Sequence, residues 1–365
     1  MTRESPFGGK RVPVAVLGAT GAVGQAFVRL LANHPWFELA EVAASERSSG
    51  KSYGEAAAHW LAHDPLPERV ARLTVQPCDP KSVRSPITFS ALDSSVAGDV
   101  EAAFAMDGRL VLSNARNYRM EPDVPLVIAE VNPDHLDVLD AQRKNRGWKK
   151  SGGIVTNGNC AAIGAVLPLA PLHERFGVRK VFVTTMQAVS GAGYPGVPSL
   201  DILGNVIPFI KDEEPKVEAE ICKFLGRRGD GRIDDAPITV SAHTNRVAVE
   251  HGHTVVMSVE LEKKADFAEI EDALVSWRGA SEACGLPTAP ERPLIVTGEA
   301  DRPQPKRDVW AGRGMAVTIG RLRPDPLFDV KLVALSHNIV RGAAGASVLN
   351  AELMAATGRI ERASL

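Results

Sequence analysis

The first 156 residues alternate short apolar runs with mixed segments, a pattern typical of alternating strands and helices. The predicted strands are Val12–Leu17, Phe37–Ala44, Leu73–Gln76, Ile87–Ser90, Leu110–Leu112, Pro125–Ile128 and Gly153–Thr156. The predicted helices between them are Gln25–Leu31, Gly98–Ala105 and Asn132–Asn145. Because the strands of a buried parallel sheet are apolar on both faces, this half of the chain is predicted to form a doubly wound α/β sheet.

After the predicted helix at Cys160, the pattern of apolar and polar residues changes. Longer, alternating or β-branched segments indicate strands of a larger, mixed and mostly antiparallel sheet in an α+β domain. These predicted strands are Lys180–Ala188, Ile238–Val249, Thr254–Leu261, Gly314–Arg323 and Phe328–Ser336, and the predicted helices are Lys211–Phe224, Asp266–Arg278 and Ala343–Ala356. The chain of 365 residues suits two domains. We predict residues 1–159 as the first domain, completed by residues 338–365, and residues 160–337 as the second.

A glycine-rich turn follows the first predicted strand and opens the first helix. Its sequence is GATGAVG, residues 18–24. Glycines at this point permit a tight turn and a close approach of the backbone to a pyrophosphate. A turn without a ligand is the alternative, but the position between strand and helix favours a Rossmann-like dinucleotide site. The candidate cofactor-binding residues here are Gly18, Thr20, Gly21, Ala22, Val23 and Gly24.

The end of the second strand indicates which dinucleotide is bound. Ser45, Arg47 and Ser48 offer donors and positive charge suited to a 2′-phosphate, so NADP is predicted. Glu46 would repel that phosphate if it pointed inward, and a solvated polar loop is the alternative. Ser90 and Ala91 end a later strand, at the sheet edge where such folds bind their ligands.

Cys160 lies where a predicted strand, Gly153–Thr156, passes through a turn into a predicted helix. Amide groups at a helix N-terminus favour an anion, so we expect the thiol pKa to fall and the sulfur to act as a nucleophile. The alternative is a small buried cysteine without chemistry. Pro168 and Pro171 are expected to kink or end this helix.

Charge and composition exclude several classes of function. A formal net charge of -2 argues against a nucleic-acid partner. The chain has no run of eighteen apolar residues and Met1–Lys10 lacks an apolar signal region, so neither membrane insertion nor secretion is expected. The four cysteines are scattered without metal-ligand spacing, which predicts no metal, reduced thiols and a cytoplasmic protein.

Seven motifs together resemble the aspartate-semialdehyde dehydrogenase family, and its archaeal and fungal branch in particular. They are GATGAVG (18–24), ASERSSGKSY (44–53), SNARNYRM (113–120), NGNCAAIG (157–164), QAVSGAGYPGVPSLDILGNVIP (187–208), RVAVEHGH (246–253) and HNIVRGAAGAS (337–347). They occur in family order along nearly the whole chain. The chain departs from the family at Gly158, where proline is frequent, and at Ala248 and Glu250-His251, in a motif that often reads RVPVxDGH.

The resemblance implies a role for each matching residue. Cys160 would be the nucleophile, His253 its acid/base partner and Gln187 the amide that orients the acyl group. Spacing alone does not choose His253 over His243, His251 and His337. The substrate-binding candidates are Arg246 for the α-carboxylate, Glu213 for the amino group, and Lys216 and Arg119 for phosphate, with Asn114 near Arg119. Gly191 and Asn338 would lie beside the nicotinamide.

From the residues alone, several of these assignments have a second interpretation. Arg246 is either a bidentate carboxylate ligand or part of a structural ion pair. Glu213 and Lys216, three residues apart, also fit a surface pair on a charged helix. Gln187 also fits an exposed strand end.

The activity implied by the resemblance is NADPH-dependent reductive dephosphorylation of L-4-aspartyl phosphate to L-aspartate 4-semialdehyde. It would pass through a Cys160 thioester and serve the biosynthesis of lysine, threonine, methionine and isoleucine. Backbone amides at the start of the Cys160 helix would stabilise the oxyanion. The competing hypotheses are malonyl-CoA reductase, N-acetyl-glutamyl-phosphate reductase, an NADP-binding regulator and a cysteine hydrolase. The segment Gly191–Pro208 resembles dimer-interface sequence, so we expect a homodimer or homotetramer.

Overall fold

The computed structural model describes residues 3–62 and 64–360. The first two residues of the chain and the last five residues of the predicted segment 338–365 therefore lie outside the description. The first half forms a parallel six-stranded sheet in the order β3-β2-β1-β4-β5-β6. Its strands are β1 (Val12–Leu17), β2 (Phe37–Ala44), β3 (Val75–Pro77), β4 (Ile87–Ser90), β5 (Leu110–Ser113) and β6 (Gly153–Thr156).

Helices cover both faces of this sheet, as predicted for a doubly wound fold. Those of the first half are α1 (Ala22–Leu31), α2 (Tyr53–Ala56), α3 (Glu68–Ala71), α4 (Ser94–Met106) and α5 (Leu139–Arg146). Phe27 and Leu31 of α1 belong to the apolar core on one face, and Phe104 of α4 belongs to the core on the other. The strand ends that lead into the helices meet at one edge of the sheet.

Two predictions in this half are wrong. Pro125–Ile128 is not a strand, although Leu126 forms one isolated bridge with Thr156. The side chain of Asn132 binds the amide of Ile128 and the carbonyl of Leu126, which takes these groups away from a ladder. Asn132–Asn145 is not one helix, because a 3₁₀ segment, Pro133–Val138, precedes α5.

The second half forms a seven-stranded mixed sheet in the order β13-β14-β15-β12-β7-β11-β8. Four of its strand pairs are antiparallel and two are parallel, which confirms the predicted mixed, mostly antiparallel sheet. Its strands are β7 (Val178–Gln187), β8 (Val206–Ile207), β11 (Thr239–Val247), β12 (His253–Leu261), β13 (Leu294–Val296), β14 (Val317–Pro324) and β15 (Val330–Ser336). A separate two-stranded ribbon is formed by β9 (Arg227–Arg228) and β10 (Ile233–Asp234).

Helix α6 (Cys160–Phe176) runs for 17 residues through both Pro168 and Pro171. The helix therefore does not end at either proline, and that alternative of the prediction is wrong. The helix is buried nearly all round, and burial of its apolar side chains offsets the hydrogen bonds that the two prolines cannot donate. The remaining helices of this half are α7 (Ser199–Ile202), α8 (Glu213–Phe224), α9 (Phe267–Ser276) and α10 (Pro305–Asp308).

The final helix, α11 (Gly345–Ala356), returns to the first half. Its residues Val348 and Leu353 belong to the same apolar core as strands β1 and β2. A π-helical turn, Val340–Ala344, precedes it and carries Gly342 against Cys160. The predicted boundary at residues 159 and 160 stays a prediction. No helix in the described ranges is long and apolar enough to cross a membrane.

Candidate active site

The glycine-rich turn between β1 and α1 has the geometry of a dinucleotide site. Gly18 has a φ of +73°, and a Cβ there would lie 2.6 Å from the carbonyl oxygen of Ala91. A Cβ on Gly24 would lie 2.1 Å from the carbonyl oxygen of Gly18, so only glycine permits this packing. Gly21 is the N-cap of α1 and supplies no side-chain cap. The first amides of α1 are thus left for an anion such as a pyrophosphate.

The loop after β2 lies beside this turn. Ser45 and Arg47 are exposed and Ser48 is half-buried, so their polar groups are available to a ligand. Tyr53 is buried and donates a hydrogen bond from its hydroxyl to the carbonyl of Ala19, at 2.8 Å. That bond joins the loop to the glycine-rich turn, as a site for adenosine ribose and pyrophosphate requires.

The same sheet edge continues towards the centre of the molecule. Ser90 is buried at the end of β4, and its carbonyl accepts a hydrogen bond from the amide of Asn114 at 3.0 Å. The Asn114 side chain accepts a hydrogen bond at 2.9 Å from Asn157, in the turn before the nucleophile candidate. The predicted cofactor edge and the predicted catalytic turn are therefore continuous.

Cys160 and His253 lie side by side. The Sγ atom of Cys160 is 3.1 Å from Nε2 of His253. Cys160 is the first residue of α6, and His253 is the first residue of β12, so a helix N-terminus and a strand end position the pair. Of the four histidines that the sequence left in competition, His253 is the one at hydrogen-bond distance from the sulfur. The geometry is that of a nucleophile and a histidine that can form a hydrogen bond with it.

The environment of His253 determines where its ring carries a proton. Nδ1 accepts a hydrogen bond from the amide of Ala188 at 3.1 Å, so the neutral ring must carry its proton on Nε2, facing Cys160. Burial, together with charge repulsion from Arg246 and His337, lowers the pKa of His253 to about 3. The ring is thus neutral near pH 7 and presents a donor to the sulfur.

The expected fall in the Cys160 pKa is not observed. Burial, together with the negative charge of Glu213, raises the pKa of this thiol to about 12. Arg119, Arg246 and the amide of Ala161 act in the opposite direction. Desolvation outweighs these three contributions, because the thiolate has lost the water that would stabilise it. The thiol form is therefore favoured in the ligand-free chain.

Amides at the start of α6 are also less available than the sequence suggested. The side chain of Asn159 accepts hydrogen bonds from the amides of Ala161 and Ala162, at 2.8 and 3.1 Å. The amide of Asn159 itself donates to Glu220. Of the four amides at residues 159–162, that of Cys160 alone has no hydrogen-bond partner among the described residues. Of the backbone amides predicted to stabilise the oxyanion, only the amide of Cys160 therefore remains available for that role.

Glu213 connects three other site residues. Its Oε1 atom accepts hydrogen bonds from Asn159 at 2.8 Å and from Gln187 at 3.1 Å. Its Oε2 atom lies 3.7 Å from Nζ of Lys216. Gln187 is buried at the end of β7, so the alternative of an exposed strand end is wrong. The interpretation of Glu213 and Lys216 as a surface pair is wrong as well, since Glu213 is buried.

Arg246 is buried at the same end of the second sheet. Its Nη1 atom donates to the carbonyl of Ala188 at 2.7 Å. No carboxylate forms an ion pair with it among the residues that the structure describes, which argues against the structural ion pair. A buried guanidinium without an acidic partner is costly unless a ligand supplies one. The remaining N–H groups suit a carboxylate.

Arg119 is linked to the catalytic turn through Glu220. It donates from Nη1 to Glu220 at 2.9 Å and from Nη2 to the carbonyl of Asn114 at 2.7 Å. Glu220 also accepts from the amide of Asn159, the residue before Cys160, and the charge of Arg119 lowers the pKa of the Cys160 thiol. Of the two predicted phosphate ligands, Arg119 is thus joined to this turn through Glu220, and Lys216 lies beside Glu213, which binds Asn159.

Gly191 and Asn338 complete the site. A Cβ on Gly191 would lie 2.9 Å from Nη1 of Arg246 and 3.0 Å from Cε1 of His253, so a side chain at this position would press on both groups. Asn338 is buried, accepts a hydrogen bond from the amide of Gly252 and donates one to Ser190, both at 2.9 Å. Asn338 thereby holds the residues that directly precede His253 and Gly191 in the chain.

Sequence reasoning missed Asn157, Asn159 and Glu220. The two asparagines lie inside the motif that identified Cys160, where only the cysteine drew a chemical argument. Glu220 follows Glu213 and Lys216 at helical spacing, and that periodicity is the signal that would have found it.

Two family descriptions match the chain. The family described as semialdehyde dehydrogenase, NAD binding domain, matches residues 13–139. The family described as semialdehyde dehydrogenase, dimerisation domain, matches residues 169–341. Together with the paired cysteine and histidine beside a dinucleotide fold, they define the class of semialdehyde dehydrogenases.

Curated relatives narrow this class. An aspartate-semialdehyde dehydrogenase from Archaeoglobus fulgidus is 52% identical over 344 residues, which cover 94% of this chain and 98% of the relative. One from Trichophyton rubrum is 46% identical over 346 residues, covering 92% and 95%. The solved Candida albicans enzyme with NADP has a TM-score of 0.88 at 41% identity, covering 96% of this chain and 99% of that one. The chain belongs to the aspartate-semialdehyde dehydrogenase family.

These comparisons confirm the family resemblance, the fold class and the oxidoreductase class predicted from the sequence. They also confirm a nicotinamide nucleotide as the cofactor, since one matched domain is described as NAD binding and the Candida structure is one with NADP. The roles of individual residues stay predictions.

Proposed function

We propose that the chain reduces L-4-aspartyl phosphate to L-aspartate 4-semialdehyde and phosphate with NADPH, reversibly. The observation that carries this proposal is the pair of Cys160 and His253, 3.1 Å apart, with the charges of two arginines, Arg119 and Arg246, acting on the sulfur. One arginine suits a carboxylate and the other a phosphate, and the substrate carries both groups. A CoA thioester has no phosphoryl group on its acyl carbon and would leave Arg119 and Lys216 without a ligand there, which argues against such a substrate.

The first step is attack by the sulfur of Cys160 on the acyl carbon. The reacting species is the thiolate, and the Nε2–H of His253 and the charges of Arg119 and Arg246 offset part of the cost of burying it. Substrate entry brings the carbon to the sulfur, so the small fraction of thiolate reacts at high effective concentration. Arg119 and Lys216 then neutralise the departing phosphate, and a thioester remains on Cys160.

The second step is reduction of this thioester. The chemistry that bound NADPH supplies is a hydride for the acyl carbon. Gly18, Gly21 and the start of α1 would hold its pyrophosphate, and Ser45, Arg47 and Ser48 its 2′-phosphate. Gly191 and Asn338 would line the nicotinamide. The absence of a side chain at Gly191 leaves room for a flat ring beside His253.

The third step is collapse of the tetrahedral oxyanion. The amide of Cys160 is placed to donate a hydrogen bond to this oxygen. One such donor typically contributes roughly 3–4 kcal/mol. Collapse expels the sulfur as a thiolate, to which the Nε2–H of His253 donates a hydrogen bond. Gln187 donates a hydrogen bond to Glu213 and orients the acyl group. Its amide does not exchange a proton with the substrate near pH 7.

The test is NADP reduction with aspartate semialdehyde, followed by absorbance in the presence and absence of inorganic phosphate. Cys160→Ala serves as the blank. Turnover that requires phosphate and is lost in the variant is the expected result. Turnover that is equal without phosphate, or supported only by a CoA thioester in the reductive direction, would overturn the proposal.

We also propose that the working unit is a homodimer, with a tetramer as the alternative. Large apolar side chains are exposed along the segment that contains Leu200, Leu203 and Phe209, and on the outer face of the second sheet at Phe182 and Val256. Exposed apolar surface of this extent favours association. Size-exclusion chromatography with light scattering is expected to return twice the chain mass, and a monomer mass would overturn this.

The four cysteines are unpaired, which supports a reducing compartment such as the cytoplasm as the place of action.

A further inference from the structure

Helix α8 directs more charged side chains towards the active site than Glu213 and Lys216, the two that the family resemblance identified. Glu213, Lys216, Glu220 and Lys223 follow one another at spacings of three, four and three residues and therefore share one face. Glu220 and Lys223 are each only 1% exposed. Charged side chains are buried in this way only when they are paired and hydrogen-bonded, so the partners of Glu220 indicate what this face does.

The carboxylate of Glu220 joins two parts of the site. Its Oε1 atom accepts a hydrogen bond from Nη1 of Arg119 at 2.9 Å. Its Oε2 atom accepts one from the amide of Asn159, the residue directly before the nucleophile. One side chain thus holds both the arginine on the phosphate side and the turn that carries Cys160.

Two hydrogen bonds fix the orientation of Arg119, and its guanidinium has further N–H groups that can donate to a ligand. Glu220 takes one N–H of Nη1, and the carbonyl of Asn114 takes one N–H of Nη2. Each of these nitrogens carries a second N–H, which remains to donate to a phosphate oxygen. Without Glu220, the guanidinium would lose one of its two fixed contacts.

Lys223 restrains the same loop from behind. Its Nζ atom donates to the carbonyls of Arg119, Glu121 and Val124, at 2.6, 2.6 and 2.9 Å. The backbone of the phosphate loop is therefore anchored to α8 through Lys223, and its side chain through Glu220.

We propose that Glu220 is a positioning residue for phosphate recognition. It orients Arg119 and ties it to the Asn159 amide, so the phosphoryl group is held at a fixed place relative to the Cys160 sulfur. This inference rests on the proposed function, since it concerns the phosphate of that reaction.

The test is Glu220→Gln, assayed by NADP reduction with aspartate semialdehyde at varied inorganic phosphate. Both carboxylate oxygens are acceptors, so the amide NH₂ of glutamine must face either Arg119 or the Asn159 amide, and one contact is lost. The KM for phosphate is expected to rise about tenfold or more, as for loss of a charge-assisted hydrogen bond. The KM for NADP is expected to stay unchanged. An unchanged KM for phosphate would overturn the inference.

Glu218→Gln is the matched control. Glu218 lies on the same helix and also accepts a hydrogen bond from a backbone amide, that of Ala242 at 3.0 Å, but this amide belongs to β11. Both variants lose one negative charge from α8. A merely structural role for Glu220 predicts a lower melting temperature with a normal phosphate KM, whereas the positioning role predicts the KM change.

A second variant decides the question if Glu220→Gln does not fold. Glu220→Asp keeps the charge but is one methylene shorter, so it cannot reach both partners, and a smaller rise in the phosphate KM is expected. An unchanged KM in the aspartate variant would again overturn the inference. Failure of the proposed function is separate, because the wild type itself would then show no dependence on phosphate.

Discussion

The Sγ atom of Cys160 lies 3.1 Å from Nε2 of His253. Because the amide of Ala188 donates to Nδ1, the neutral imidazole faces the sulfur with an N–H and not with a lone pair. This arrangement suits His253 to stabilise a thiolate by donating a hydrogen bond to it. Removal of the thiol proton by Nε2 would require the other tautomer, whose Nδ1–H would oppose the Ala188 N–H.

Replacement of His253 by asparagine is expected to lower kcat about 10²–10³-fold, as for loss of one donor that stabilises a developing negative charge. Binding of NADPH should persist, because His253 lies outside the glycine-rich turn. The measurements are steady-state kinetics and a fluorescence titration with NADPH. His243→Asn is the control, since His243 is exposed on β11 and contacts Phe182. Equal loss in both variants would contradict the assignment.

The raised pKa of Cys160, about 12, predicts how its reactivity depends on pH. Since the thiolate is the reactive form, the alkylation rate of Cys160 should be low at pH 7 and rise about tenfold per pH unit up to pH 10. Iodoacetamide labelling, read by mass spectrometry of the Cys160 peptide, measures this rate, with N-acetylcysteine in parallel. A rate that levels off below pH 9 would instead support the lowered pKa expected from the helix start.

The sequence led us to expect a lowered Cys160 pKa, whereas burial in the folded chain raises it. This difference marks one limit of sequence-based prediction. The position of Cys160 at a strand-to-helix turn was correctly predicted, because the apolar runs and the turn residues are local signals. Its pKa depends on burial, on Glu213, and on which groups take the nearby amides. Asn159 caps the helix with its own side chain and removes two of those amides from the sulfur. Long-range contacts of this kind leave no periodic signal.

Arg246→Lys should raise the KM for aspartate semialdehyde about 10–100-fold, because lysine keeps the charge but cannot bind a carboxylate bidentately. The phosphate KM should change little, since Arg119 and Lys216 are intact. Initial rates at varied concentrations of each substrate give both constants. If the two KM values rise together, Arg246 acts on the whole site and is not the carboxylate ligand.

The coenzyme preference can be tested at the exposed loop after β2. Arg47→Ala should raise the KM for NADPH about tenfold and leave that for NADH nearly unchanged, because only NADPH carries the 2′-phosphate. Glu46→Gln is the companion variant, and it should leave the KM for NADPH unchanged or lower it. Equal effects of Arg47→Ala on the two coenzymes would remove Arg47 from the 2′-phosphate site.

Regular elements were predicted better than irregular ones. Strand β1 was placed at its observed bounds, Val12–Leu17, because six apolar residues before a glycine-rich turn have few other solutions. Pro125–Ile128 was predicted as a strand on the same apolar signal, yet Asn132 binds two of its backbone groups. The sequence contains Asn132, but its partners became apparent only in the folded chain.

The departure from the family at Gly158 has a physical counterpart in Phe224 of α8. A Cβ on Gly158 would lie 2.3 Å from Cζ of Phe224 and 3.0 Å from Oε2 of Glu220. The phenyl ring thus occupies the space that a side chain at residue 158 would need. Gly158→Ala is expected to destabilise the fold by about 1–3 kcal/mol, as for other overpacked sites.

Phe224→Leu should relieve part of this cost when it is combined with Gly158→Ala, because the smaller side chain makes room for the Cβ. The free energy of unfolding of the two single variants and of the double variant, measured by urea denaturation, forms a double-mutant cycle. A favourable coupling energy is expected, and additive losses would show that the two positions do not compete for space. The same cycle, read as kcat, tests whether this packing also sets the position of Cys160, since Gly158 lies two residues before it.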